Sequence, residues 1–246
     1  MVDETLPRRG FLKGAGAAGT AVATALAGLP APAEAQSAKP AKAKPAAPPP
    51  EPLLTLTATE AAFIAAAVDT FIPADELTPA GSDCGVGTFI DRQLAGAWGS
   101  GARLYRDGPF FNGKPEHGYQ LALTPREFFR AGIAAANDWT RKIYGREFDR
   151  LSATDREAAL KLLEEGKVEF PGFSSREFFE ALLNITMEGF FADPIYGGNR
   201  DKVAWKMIGY PGARYDYRDW VERHNQRYPL PPVGISGRPE WIRKSG

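Results

Sequence analysis

The chain is 246 residues long, with 30 Lys and Arg balanced by 30 Asp and Glu, and 43% of it is apolar. A neutral chain of this size suits one globular domain or two small ones, and it argues against nucleic-acid binding through a broad basic surface, which draws its affinity from net cationic charge. The single cysteine excludes an intramolecular disulfide, and a core of roughly 190 residues buries about 70% of its unfolded surface, enough to fold without a disulfide or a metal.

The first element is an address. Pro7-Arg8-Arg9-Gly10-Phe11-Leu12-Lys13 precedes a mild Ala/Gly-rich run to Leu29, and Ala33-Glu34-Ala35 follows as an A-x-A cleavage signal. The paired arginines resemble a twin-arginine (Tat) signal of pattern Ser/Thr-Arg-Arg-x-Phe-Leu-Lys, from which only Pro7 departs. Cleavage after Ala35 is the expectation, with retention as an uncleaved anchor the alternative. It removes three charges of each sign and leaves 27 against 27 on 211 residues. Gly14-Ala-Gly16-Ala-Ala-Gly19 matches a dinucleotide fingerprint in letters alone. It follows a signal n-region rather than a strand and is rejected.

Residues 36–52 hold six prolines and three lysines with no large apolar side chain, and read as an extended, disordered tether. From Leu53 the signals are helical. Thr57-x-x-Glu60 is a capping box opening a helix with Phe63, Ile64, Ala67, Val68, Phe71 and Ile72 on one face, closed by Pro73. Gly87 or Thr88 opens a second, carried through Leu94 and Trp98 to the Gly-Ser-Gly at 99–101. Thr124-Pro125-x-Glu127 joins a capping box to a first-turn proline, and the third helix runs on through Trp139 and Ile143. Ser152-x-x-Asp155 opens a fourth that stops at Gly166. Ser174-x-x-Glu177 opens the longest apolar-rich helix, ending before Pro194. Shorter helices are expected over 202–208 and 217–227, and the linkers at 73–87 and 99–123 are long enough to pack on a surface. No alternating run argues for a sheet. The expectation is an all-α domain of six or seven helices over 53–246.

The chemistry-bearing residues are few. His117 and His224 lie in unrelated contexts, with no zinc, iron–sulfur or c-type haem spacing and no nucleophile elbow or phosphate loop, so no catalytic, cofactor or metal residue is assigned to this chain. Cys84 sits in a glycine-rich segment expected to be exposed. An inert buried thiol, an intersubunit disulfide and a reactive thiol all remain open. The doublets Phe110-Phe111, Phe128-Phe129, Phe178-Phe179 and Phe190-Phe191 serve a core first, and at least one of them is a candidate for an exposed interface.

The stretch 188–212, EGFFADPIYGGNRDKVAWKMIGYPG, reads as a rigid aromatic loop suited to docking, with Phe190, Phe191, Asp193, Tyr196, Asn199, Arg200, Trp205 and Tyr210 as candidate partner residues. Together with Phe89-Ile-Asp-Arg-Gln-Leu-Ala95 and the Tat-like signal, this stretch closely resembles the gluconate 2-dehydrogenase subunit 3 family, from Leu56 to about Pro231. The resemblance implies a small, non-catalytic subunit of a periplasmic dehydrogenase associated with the membrane through its complex. Its FAD-containing large subunit oxidises a sugar or sugar acid, and a multihaem cytochrome c subunit, carrying haem c, accepts the electrons. The large subunit is expected to leave the cytoplasm on the small subunit's signal through the Tat translocase. Two alternatives stay open: Asn199, Arg200 or Lys202 reaching into the partner's active-site mouth, and a standalone periplasmic binding protein.

Overall fold

Side chains that cap their own helices set the frame of the fold. In the computed structural model, the described residues are 51–237 except 112, 115, 116 and 215. The chain divides into Met1–Pro48 and Pro49–Gly246, and all described residues lie in the second unit. Arg8, Arg9, Phe11, Leu12, Lys13, Ala33 and Ala35 of the expected signal lie outside the described residues.

The capping box at Thr57 opens α1 (Ala58–Phe71). Helix α2 (Val86–Ala95) begins after Gly85, which is left-handed at φ 81°. Thr124 boxes α3 (Pro125–Tyr144), Ser152 caps α4 (Ala153–Glu164) and Ser174 boxes α5 (Ser175–Phe191). Each cap oxygen satisfies an amide that the first helical turn leaves unpaired, so these boundaries are written locally. A short α6 spans Val203–Ile208. The described residues contain six α-helices and no strand, an all-α domain.

Two boundaries differ from the sequence expectation. Helix α2 stops at Ala95, three residues before Trp98. Gly96 turns extended, and Arg126 of α3 donates to the carbonyls of Leu94 and Ala95 at 2.7 and 3.1 Å, satisfying the helix end. The helix expected over 217–227 is only a 3-10 turn at Arg218–Trp220; Tyr217 and Trp220 pack on the Tyr228 ring, outside the main core, and Val221 is exposed.

Helix α5 is the hub, packing against each of the other five α-helices. Its Phe178 is fully buried, with its ring 5.9–6.3 Å from those of Phe63, Phe128, Phe129 and Phe170. Gly132 on α3 makes room for it, since a Cβ there would stand 2.1 Å from the Phe178 ring.

The linker after α1 folds back onto it. The Asp69 carboxylate accepts from the amide and hydroxyl of Ser82 at 2.8 and 3.0 Å. The entry to the domain is tied down as well. Buried Asp91 of α2 accepts from the amides of Leu54, Thr55 and Leu56 at 2.6, 3.0 and 2.9 Å, and Arg92 pairs with Glu51.

Candidate functional site

The segment after α5 reverses direction within a few residues, and its side chains hold the reversal from inside. Asp193 caps a 3-10 turn (Pro194–Tyr196) by accepting from the Ile195 amide at 3.1 Å, and its other oxygen accepts from the Ile235 amide at 2.7 Å. The C-terminal strap is thereby joined to the turn. Gly198 then passes so close to α5 that a Cβ would lie 2.0 Å from the Gly189 carbonyl oxygen. Backbone meets backbone there, and neither can yield.

Asn199 is the centre of the reversal. It is 0% exposed and left-handed at φ 46°, a conformation asparagine tolerates better than most residues. Its Nδ2 donates to the Ala192 carbonyl at 2.9 Å and its Oδ1 accepts from the Ala204 amide at 3.0 Å. One side chain thus ties the end of α5 to the start of α6. Trp205 repeats the link, its indole Nε1 donating to the Phe191 carbonyl at 2.8 Å. Asp201 and Lys202 also have positive φ, of 56° and 57°. Such backbone is costly for non-glycine residues, and the surrounding bonds must hold it in place.

The eight candidate partner residues therefore divide. Phe190, Asp193, Asn199 and Trp205 are buried within the chain, and Phe191 is partly buried. Arg200 is partly exposed, but its amide donates to the Cys84 carbonyl at 2.9 Å and its guanidinium to the Asp83 carbonyl at 2.8 Å. Only Tyr196 and Tyr210 present an exposed ring, joined over this segment by Ile195, Met207 and Ile208. The sequence marked the loop through its rings and turn residues, but the rings that look most distinctive in it build the loop. The exposed aliphatic residues beside them gave no comparable signal.

Burial also corrects the exposure expected for Cys84. The thiol is 1% exposed, lies 3.6 Å from the Pro79 carbonyl oxygen, and is walled by the chain that Arg200 pins down. Burial, reinforced by Asp83, pushes its pKa up to about 11. A disulfide to a partner would require local opening. In the native chain at neutral pH, alkylation of Cys84 by iodoacetamide is expected to be at least about a hundredfold slower than in urea. Equal rates, measured by mass spectrometry, would show an accessible thiol.

Of the four aromatic doublets, three stand in or against the core, and Phe110-Phe111 is exposed. It belongs to the 99–123 linker, which Tyr119 fastens to the core by stacking on Phe128 at 4.0 Å. His117 is exposed in the same linker, its Nδ1 accepting from the Lys114 amide at 3.3 Å. Among the described residues, no group of three or more His, Cys, Asp and Glu could hold a metal ion, and no helix is long and apolar enough to cross a membrane.

The family described as gluconate 2-dehydrogenase subunit 3 matches residues 58–212, from the first residue of α1 to Gly212. No curated protein and no solved structure gives a significant match.

Proposed function

We propose, because this chain belongs to the gluconate 2-dehydrogenase subunit 3 family, that it is the non-catalytic small subunit of a membrane-associated, FAD-dependent gluconate or related polyol dehydrogenase. It binds the flavoprotein in the cytoplasm, carries it to the periplasm on the twin-arginine signal, and stays bound as structural support. The flavin on the large subunit supplies the redox chemistry, and a multihaem cytochrome c subunit takes the electrons.

The family match across all six helices carries this reading. The site agrees with it in two respects. The loop after α5 is braced by buried hydrogen bonds, as a docking element needs to be if binding is to cost little ordering entropy. It also leaves Ile195, Tyr196, Met207, Ile208 and Tyr210 exposed, apolar surface of the kind found in interface cores. A direct contribution of Asn199 or Arg200 to the partner's active site has less support, since Asn199 is buried and the Arg200 guanidinium is engaged by Asp83.

Affinity purification of the tagged full chain from periplasm tests the reading. The expected eluate carries a flavin absorbance spectrum and a large partner without a signal peptide of its own. A colourless, solitary chain would refute it.

A further inference from the structure

A second surface lies between the turn after α2 and the outer face of α5. The early end of α2 leaves Trp98 in a turn, 47% exposed, with its ring 6.3 Å from that of Phe129. Opposite stands the outer face of α5, and between them runs a groove of about 420 Å³. Trp98, Tyr119, Phe129 and Ile185 give it an apolar, largely aromatic lining, while its α5 bank carries Glu177, Glu180 and Glu188. Among the described residues, no lysine or arginine lines it.

The three carboxylates are unequally engaged. Glu180 pairs with Arg176 at 3.2 Å on its own helix, and Glu177 accepts from the Ser174 amide at 3.1 Å. Among the described residues, Glu188 takes part in no ion pair. On a chain that is neutral overall, the groove thus joins aromatic faces to surplus negative charge. That combination complements a guanidinium, which stacks on rings through its face and bonds carboxylates through its edge, better than a compact, strongly hydrated ammonium.

We propose that this groove receives an arginine side chain, flanked by apolar residues, from a segment of the partner subunit. The proposal rests on the subunit reading above for the identity of the partner, while the chemistry of the groove can be tested without it. The arginine lies over Trp98 and Tyr119 and its charge is met by Glu188. The apolar flanks cover the remaining aromatic lining.

The chemistry is read by titrating acetyl-Leu-Arg-Leu-amide, and its neutral citrulline counterpart, onto the purified full chain. The indole N–H resonance of Trp98, assigned with Trp98→Phe, is followed by NMR. The arginine peptide is expected to shift it saturably in the millimolar range, and the citrulline peptide to bind about tenfold more weakly. Glu188→Gln is expected to weaken the arginine peptide by a similar factor of about ten. Equal binding of the two peptides, or no shift with either, overturns the proposal.

The partner is tested in the periplasmic complex. Glu188→Arg and Trp98→Ala, both at exposed positions, should lower the co-purified flavoprotein about tenfold. Glu164→Arg, exposed on α4, should not. If the unaltered chain brings flavin and both groove variants bring as much, the groove proposal falls and the subunit reading stands. If the unaltered chain brings none, the subunit reading falls with the partner it names, and the peptide titration alone decides the chemistry of the groove.

Discussion

Asn199→Ala is expected to destabilise the domain by about 3 kcal/mol, with most of the loss coming from the buried Ala204 amide and the partly buried Ala192 carbonyl left without partners. The Ala192 carbonyl and the Ala204 amide both meet the Asn199 side chain, at 2.9 and 3.0 Å, and its full burial leaves no water to replace it. Alanine also fits the left-handed backbone at φ 46° poorly, at a cost of about 1 kcal/mol. The two contributions separate with Asn199→Gly, which relieves the backbone and still loses both bonds. Urea denaturation of the purified chain should place the glycine variant between the parent and the alanine variant. A midpoint unchanged in Asn199→Ala would show that the side chain does not hold the reversal. The same variant should fail to retain the flavoprotein, because the loop that displays Tyr196 and Tyr210 is held in shape by this residue.

Asp91→Ala is expected to cost about as much, roughly 3 kcal/mol, for a different reason. A single carboxylate accepts three consecutive amides, those of Leu54, Thr55 and Leu56, each a charge-assisted bond. Asp91 is itself buried, and so is Leu56, so the loss frees the entry segment and uncovers the Leu56 side chain. Asp91→Asn keeps the shape with a single acceptor oxygen and should lose about half as much. Denaturation midpoints give the energies, and amide hydrogen exchange at Leu54 to Leu56 gives the location. Protection of these amides unchanged in Asp91→Ala would refute the assignment.

Helix starts were legible because they are local. Thr57, Thr124 and Ser174 each carry a glutamate three residues on, and each closes a box over that spacing. Ends were harder to read, since they depend on distant partners. Nothing in Leu94-Ala95 foretells that Arg126, over thirty residues later, will take their carbonyls. The candidate loop was legible as a place and much less so as a surface. A doublet of phenylalanines has the same letters whether it fills a core, as Phe128-Phe129 does, or stands in solvent like Phe111. Burial is decided by the packing of the whole chain, which also encloses Cys84 despite its glycine-rich surroundings and draws Asn199 and Trp205 inward.

The position of the hub in the chain carries a consequence for synthesis. Helices α1 to α4 leave the ribosome before α5, the element against which each of them packs. Until Phe178 has emerged, the cleft that it fills between Phe63, Phe128 and Phe129 has no occupant. Nascent chains up to about residue 175 can form helices but cannot close a core around them. The domain thus reaches its final packing late in translation, long after its N-terminus has become available to any factor that reads it.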